Sequence, residues 1–317
     1  MYGICIESSP KRGMGHLFRQ INFASFLKKE HKDVIFFVND DLVSQKILSE
    51  NNIRYELVEL LDFKSKWEKS MITRHGITVW IDDRLDTDIR HTRYVKETDI
   101  CLVVFDDKGG GASLADFNFS ALSFDSSIPL SGKKIFTGEK YLILNPEIES
   151  FKHLRSQIKK IIVTLGGSDT YNVTSKVIDI LKNIGREATI VVGPSFDRVR
   201  LQKLNIPEGF VIKQTVQSLV AEFSNYDIAI CGGGITPFEA NAAGLPCIII
   251  ATELFEIPNA KYLEHLGSSL FAGYRESIDM AIFRQLSTLK ITEMSQAGLS
   301  QLDTMGAQRV YDALTND

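Results

Sequence analysis

Residues 2–38 read YGICIESSPKRGMGHLFRQINFASFLKKEHKDVIFFV, and this stretch decides the fold. A short apolar run at 2–6 leads into a glycine pair, and a second apolar run ends the stretch at 34–38. Between the two runs, apolar residues recur at three- and four-residue spacing, which is typical of the buried face of a helix. The stretch therefore predicts a strand–helix–strand unit. The residues of the helix face are Leu17, Ile21, Ala24 and Leu27.

Apolar runs alternate with helical patterns through the rest of the chain, and the alternation restarts after residue 158. Continuous apolar runs are typical of strands that are buried on both faces of a parallel sheet. The sequence thus predicts an α/β protein with two doubly wound domains, 1–150 and 151–317, joined near the polar stretch 145–157. The predicted strands are 2–6, 34–38, 55–60, 78–82 and 101–105 in the first half, and 160–165, 188–192, 209–213, 227–231 and 247–251 in the second.

The composition of the chain excludes several classes of protein and of binding partner. The chain has 317 residues, a net charge of −4 and no long apolar run, so it offers no electrostatic argument for nucleic acid or an anionic membrane. No signal peptide is recognisable, and the four cysteines lack C-x-x-C spacing, so reduced buried thiols are favoured over zinc. We expect a cytoplasmic protein without nucleic acid, stable membrane insertion, metal or cofactor, and a monomer or weak dimer.

Three glycine clusters follow predicted strands, at 12–16, 165–169 and 231–239. Glycine lets backbone N–H groups approach an anion, and parallel strands collect ligands at their carboxyl ends. Each cluster alone is more simply a tight turn, but three clusters, all at the carboxyl ends of predicted parallel strands, favour a phosphate-bearing ligand. The chain lacks the P-loop motif and the third glycine of the dinucleotide motif. The candidate ligand residues in these clusters are Gly13, Gly15, Gly167, Ser168, Asn172, Gly233 and Gly234.

His16 and Arg19 lie near one side of the first turn of the predicted helix. Because a helix N-terminus disfavours a cationic imidazole, we expect His16 to be neutral near pH 7, as a general base must be. A helix-start histidine bonded to a carbonyl is an equal alternative. Asp82 or Asp83, at a strand end, is a candidate to orient His16, and Asp82 is also a candidate to bind substrate, although each could instead be a cap or turn residue. Adjacent aspartates point to opposite faces of a strand, which argues against a shared metal.

In the third cluster, Thr236 is a candidate donor to a phosphate oxygen and Glu239 a candidate acceptor from ribose hydroxyls. Glu239 could equally be a first-turn carboxylate that the helix dipole favours. Asn259, near a later helix start, is a further candidate for contact with substrate. Helix termini with Arg19 or Lys11 would neutralise the phosphates without a metal.

The motif GMGHLFR at 13–19 resembles the start of the nucleotide-sugar hydrolases of pseudaminic acid biosynthesis and of the related spore-coat polysaccharide proteins. The wider group resembles the N-acetylglucosamine transferase of peptidoglycan synthesis, with its glycosyltransferase-B (GT-B) fold. The resemblance extends over nearly the whole chain. Further matching segments are VWIDD (79–83), LGGSDTYNVTSKVI (165–178), GGGITPFEANAAGLPCI (232–248) and DTMGAQRV (303–310).

This resemblance implies two Rossmann-like domains that face a central cleft. It implies that the C-terminal domain holds uridine diphosphate near the third glycine cluster and Glu239, and that the N-terminal domain holds the sugar. His16 would then activate water, which attacks the anomeric carbon with inversion and releases UDP. The chain departs from the family at Arg84, where a tyrosine is usual, and it has no asparagine after the strand 247–251 until Asn259.

Three functions remain open at this point. The first is a UDP-sugar hydrolase, and the second is a glycosyltransferase in which His16 deprotonates a sugar hydroxyl. The third is a non-catalytic protein that binds nucleotide sugars. The first two differ only in what occupies the acceptor side, which the sequence does not show, and the presence of His16 argues against the third.

Overall fold

The computed structural model describes residues 1–7, 14–122, 129–167, 169–193, 195–214 and 216–316. The chain divides into two compact units. Unit 1 contains Met1–Ile143 together with Met305–Asp317, and unit 2 contains Leu144–Thr304.

Unit 1 is built on a parallel sheet that has, within the described residues, seven strands in the order β3-β2-β1-β4-β5-β6-β7. The order reverses direction at β1, as in doubly wound folds. The strands are β1 (Tyr2–Ile6), β2 (Val34–Val38), β3 (Tyr55–Leu57), β4 (Val79–Asp83), β5 (Cys101–Phe105), β6 (Phe117–Ser120) and β7 (Lys134–Thr137). The helices are α1 (Gly15–Lys29), α2 (Leu42–Glu50), α3 (Trp67–His75), α4 (Ile89–Lys96) and the C-terminal α13 (Gly306–Thr315).

Two hydrophobic clusters cover the two faces of this sheet. Ile4 and Ile6 pack in the cluster that includes α1 and α13, while Cys5 packs in the cluster that includes α3 and α4. This alternation explains why β1 and β2 are apolar at every position. The parallel register pairs Cys5 with Asp82 and Ile6 with Asp83, so the two aspartates lie on opposite faces.

Unit 2 repeats the architecture, and its described strands run in the order β10-β9-β8-β11-β12-β13-β14. All neighbours are parallel except β13 and β14. The strands are β8 (Ile161–Thr164), β9 (Thr189–Val192), β10 (Val211–Gln214), β11 (Ile228–Cys231), β12 (Cys247–Ala251), β13 (Ser269–Tyr274) and β14 (Ser277–Ile278). The helices are α5 (Ile148–Phe151), α6 (Val173–Asn183), α7 (Arg198–Lys203), α8 (Leu219–Phe223), α9 (Thr236–Ala242), α10 (Ile257–His265), α11 (Met280–Arg284) and α12 (Ile291–Gln301).

The predicted domain boundaries need a correction. Unit 1 ends at Ile143 rather than at residue 150, and the chain returns to it at Met305, whereas the sequence prediction placed everything from 151 to 317 in one domain. The physical reason is α13, whose Ala307 and Val310 are buried in the core of unit 1. Gly306 makes this possible, because a Cβ there would lie 2.1 Å from the carbonyl oxygen of Leu142.

Candidate functional site

His16 and Asp83 form a close pair. His16 lies in the first turn of α1, and Asp83 is the last residue of β4, directly beside it. The Nδ1 atom of His16 is 2.6 Å from Oδ1 of Asp83. The Asp83 side chain is fully buried, whereas 19% of the His16 side chain is exposed. The sequence left Asp82 and Asp83 as alternatives, and the structure brings Asp83 to His16.

The carboxylate of Asp83 is saturated with hydrogen bonds. The Nε and Nη2 atoms of Arg19 donate to its Oδ2 and Oδ1 at 2.9 and 2.6 Å, and Nε2 of Gln20 donates to Oδ2 at 2.8 Å. Burial by itself would raise the pKa of Asp83, but the charges and hydrogen bonds of Arg19 and His16 hold it well below its usual range. Asp83 is therefore a fixed anion, which can orient the imidazole and stabilise its charged form without taking its proton.

Arg19 lies between two carboxylates. Its Nη1 donates to Oδ2 of Asp106, which follows β5, and its guanidinium lies 5.3 Å from the ring centroid of Phe105. Arg19 is only 2% exposed. This placement argues against the expectation that Arg19 neutralises a phosphate, because both of its charge partners are already inside the protein. Its two hydrogen bonds to Asp83 instead fix the position of that carboxylate.

The hydrogen-bond network determines the tautomer of His16. A separation of 2.6 Å from a carboxylate oxygen assigns the proton to Nδ1, although Nη2 of Arg19 also lies 3.2 Å from that nitrogen. The Nε2 atom of His16 has no hydrogen-bond partner among the described residues. It is thus the free basic position of the ring, and it can accept a proton from a bound hydroxyl or water.

Asp82 occupies the opposite face of β4. It is fully buried, and its two carboxylate oxygens lie 3.0 and 3.1 Å from Nε2 of His91 on α4. This position argues against direct contact between Asp82 and substrate, which stays an untested prediction. Gly15 is exposed at the first position of α1, while Gly13 and Lys11 lie outside the described residues.

In unit 2, the glycine turn after β11 is held from both sides. The N–H of Gly233 donates to Oε2 of Glu256 at 3.3 Å, and its carbonyl accepts from Nδ2 of Asn259 at 2.9 Å. A Cβ at Gly233 would lie 2.7 Å from the Cβ of Glu256, so only glycine fits. Asn259 is 2% exposed, which makes it a support of the turn. Its predicted contact with substrate is untested, and this burial does not favour it.

Sequence reasoning missed Glu256. Its Oε2 also accepts from the N–H and hydroxyl of Thr252, at 2.7 and 3.0 Å, and from the N–H of Glu253 at 3.3 Å. Burial raises the pKa of this carboxyl, and the hydrogen bonds oppose that effect. The signal in the sequence is the pair Glu253 and Glu256, which forms a reciprocal capping box around the 3-10 helix Leu254–Glu256. The carboxylate of Glu256 thus accepts hydrogen bonds from the backbone N–H groups at and beside the glycine turn.

Thr236 and Glu239 lie one turn apart on α9, which starts directly after this turn, and Gly234 is partly exposed beside them. Burial raises the pKa of Glu239 to about 7, although the backbone N–H of Asn145 donates to it and works in the opposite direction. Glu239 is therefore a carboxyl that changes charge near neutral pH, which is common at functional sites.

The glycine cluster after β8 is a tight packing point. A Cβ on Gly193 would lie 2.5 Å from the Cα of Gly167, and Asp169 caps α6 by accepting from the N–H groups of Val173 and Thr174 at 2.8 and 3.0 Å. Asn172 is exposed, with a φ of +55°. Ser168 lies outside the described residues. The ligand roles predicted for Gly167, Ser168 and Asn172 remain predictions.

Comparison with known proteins agrees with this fold. No protein-family model matches the chain. Over 311 residues, covering 90% of this chain and 88% of the relative, it is 26% identical to the spore coat polysaccharide biosynthesis protein SpsG of Bacillus subtilis. The crystal structure of Acinetobacter baumannii MurG matches 100% of this chain and 99% of its own, with a TM-score of 0.70 and 15% identity.

A second solved structure is the spinosyn rhamnosyltransferase SpnG complexed with thymidine diphosphate. It matches 99% of this chain and 100% of its own, with a TM-score of 0.66 and 13% identity. The chain is therefore similar to SpsG, and the predicted GT-B fold class, with a Rossmann-like sheet in each unit, is confirmed. Every helix in the described part of the chain is too short or too polar to cross a membrane.

Replacing Glu239 by glutamine tests its raised pKa. From its ordinary value of 4.5 up to about 7, the folded protein holds a proton on Glu239 that the unfolded chain has lost, so this group's contribution to stability falls as pH rises through that window. Glu239→Gln cannot ionise, so it removes this pH-dependent loss of stability. We expect the variant to exceed the wild type by about 2 kcal/mol, or roughly 4–8 °C in Tm, at pH 8 and by little at pH 4.5.

The measurement is thermal unfolding of both proteins at pH 4.5 and pH 8. Glu208→Gln is the matched control, because Glu208 is an exposed glutamate of the same unit. A gain for Glu239→Gln that is the same at both pH values would contradict the assigned titration.

Proposed function

We propose that this protein is an enzyme that cleaves a UDP-sugar at the anomeric carbon with water as acceptor, inverts that carbon and releases UDP. The observation that carries the proposal is the His16–Asp83 pair. It combines a buried, ionised carboxylate with a partly exposed imidazole whose Nε2 is unoccupied among the described residues. This is the arrangement that a general base requires.

In the proposed reaction, the oxygen of a water molecule forms a bond to the anomeric carbon. The bond between that carbon and the phosphate oxygen breaks, and its electron pair leaves with UDP. The water proton passes to Nε2 of His16, while Asp83 stays ionised and stabilises the imidazolium through Nδ1. Arg19 and Gln20 fix the carboxylate, so the imidazole is oriented before substrate binds.

We propose that unit 2 binds the nucleotide through Gly233, Gly234, Thr236 and Glu239. Two observations support this assignment. These residues follow the carboxyl end of β11, where ligands of parallel sheets collect, and Glu239 has an environment that shifts its pKa toward neutrality. The names of the similar proteins point the same way, since SpsG is a polysaccharide biosynthesis protein and SpnG was solved with thymidine diphosphate.

A glycosyltransferase is the second candidate, and the fold match to a rhamnosyltransferase favours it. In that reaction His16 accepts the proton of a sugar hydroxyl in place of water. The experiment that separates the two is incubation of the purified protein with a panel of UDP-sugars and no acceptor. Rapid UDP release supports hydrolysis, whereas release only after a glycan acceptor is added would refute it in favour of transfer.

The base role predicts a specific kinetic result for His16→Ala. We expect turnover to fall by roughly 10² or more, because the proton acceptor is gone, while UDP affinity stays nearly unchanged. His265→Ala is the control, since His265 is exposed at the end of α10. Turnover is followed as UDP release, and UDP binding by calorimetry. A His16→Ala enzyme as active as the wild type would end this mechanism.

The ribose role predicts the converse for Glu239→Ala. Loss of the acceptor carboxylate should weaken UDP binding by roughly 10- to 150-fold, as one hydrogen bond to a charged group is worth about 1.5–3 kcal/mol. Calorimetric titration with UDP measures this, and Glu208→Ala serves as the control. An unaltered UDP dissociation constant would remove Glu239 from the nucleotide site.

A further inference from the structure

A second cluster of reactive side chains lies on the other face of β4, away from His16. Cys5 on β1 and Asp82 on β4 are direct partners in the parallel register, and His91 reaches them from α4. All three residues have no solvent exposure. The sulfur of Cys5, a carboxylate oxygen of Asp82 and a ring nitrogen of His91 lie within 4.8 Å of one another.

His91 is fixed from both sides. Its Nε2 faces Asp82, with the two carboxylate oxygens at 3.0 and 3.1 Å, and its Nδ1 is 2.8 Å from Oε1 of Glu68 on α3. The carboxylate of Asp82 thus meets the imidazole with both oxygens at nearly equal distance. Glu68 binds the opposite nitrogen, so it determines which ring nitrogen points at Cys5 and Asp82.

Hydrogen bonds alone leave this cluster incompletely satisfied. Both oxygens of Asp82 share one N–H group of His91, and Oε2 of Glu68 is buried with no hydrogen-bond partner in the described part of the chain. Two buried carboxylates call for positive charge. His91 has one of them at each ring nitrogen, so its protonated form supplies one such charge. Arg84 acts electrostatically on Asp82, but it also faces Glu7. A metal ion bound by Nε2 of His91 and by Asp82 would take the place of the proton that these two groups now share.

We propose that Cys5, Asp82 and His91 bind a divalent transition-metal ion of the zinc class. A thiolate, an imidazole nitrogen and a carboxylate are the ligands that Zn²⁺ takes in proteins. Ligand atoms around a tetrahedral ion lie roughly 3.3–3.6 Å apart, given bond lengths of about 2.0–2.3 Å. Nε2 of His91 lies 3.0 and 3.1 Å from the two oxygens of Asp82, and the sulfur of Cys5 lies within 4.8 Å of both groups. The second oxygen of Asp82 can only make a distorted fourth contact, because the two oxygens of one carboxylate are too close together to fill two tetrahedral positions.

Glu68 completes the arrangement as the carboxylate behind the histidine ligand. A metal-bound histidine commonly donates its other N–H to a carboxylate, which fixes its tautomer and increases its affinity. The rings of Trp67 and Trp80 lie 5.6 and 5.8 Å from that of His91, so two aromatic side chains pack beside the histidine ligand. A closed, dry site of this kind is structural, and it is independent of the UDP-sugar chemistry proposed above.

The test is metal binding by the full-length chain. The protein is stripped with a chelator, titrated with Zn²⁺ and with Co²⁺, and examined by elemental analysis and absorption spectroscopy. We expect one ion per chain, and thiolate-to-cobalt charge-transfer absorption in the near ultraviolet. Cys5→Ser should abolish that absorption. Cys101→Ser should retain it, because Cys101 is the first residue of β5 and packs against the hydrophobic cluster on the opposite face of the sheet.

Glu68→Gln keeps the three ligands, so the absorption should persist with an affinity lowered by about 10- to 100-fold. The wild-type titration and Glu68→Gln keep the test valid even where Cys5→Ser fails to fold. The proposal is overturned by a folded chain that binds no ion in excess Zn²⁺, by Co²⁺ binding without thiolate absorption, or by absorption that survives in Cys5→Ser.

Discussion

The ion pair between Arg19 and Asp83 is the constraint on which the first unit's candidate site depends. It joins α1 to the end of β4 through two hydrogen bonds, and Asp106 extends it to β5. A buried pair of this kind is not by itself evidence of stability, because its desolvation is expensive. The contribution of this ion pair is to fix the positions of the groups around it. Removing the charge of Arg19 would leave the two carboxylates of Asp83 and Asp106 buried without the cation that they share, so α1, β4 and β5 must meet in one arrangement, and this arrangement orients His16.

Much of the fold could be predicted from the sequence, whereas part of the candidate site could not. Strands at the centre of each sheet, such as β1, β2, β5 and β12, were predicted with their observed bounds because both of their faces are buried and every position is apolar. Four strands were missed, namely β6, β7, β13 and β14. Exposure explains β7, whose positions need no apolar residue, whereas β6 is buried but has polar Asn118 and Ser120 in its sequence. Asp83 could not be separated from Asp82, since only the register of β1 with β4 determines which face each carboxylate takes.

Arg19 and Glu256 show a different reason why the sequence did not predict the role of a side chain. Arg19 has the right chemistry for a phosphate, and nothing in the local sequence says that two carboxylates from β4 and β5 surround it. Glu256 reaches back to Gly233, 23 residues earlier, so its contact depends on the packing of the turns after β11 and β12. In both cases a partner distant along the chain decides the role of the side chain, while local pattern reveals only the type of group that is present.

The return of α13 to unit 1 has a consequence for how the chain folds during synthesis. Unit 2 is contained in the continuous segment Leu144–Thr304, whereas unit 1 lacks the Ala307 and Val310 part of its core until the last residues are made. Domains generally fold as units while the chain emerges. Synthesis of unit 1 begins before that of unit 2 and is completed after it. The apolar surface beside α1 that α13 covers therefore stays exposed until the whole of unit 2 has been translated. Truncation at the C-terminus therefore damages the N-terminal unit, which carries His16.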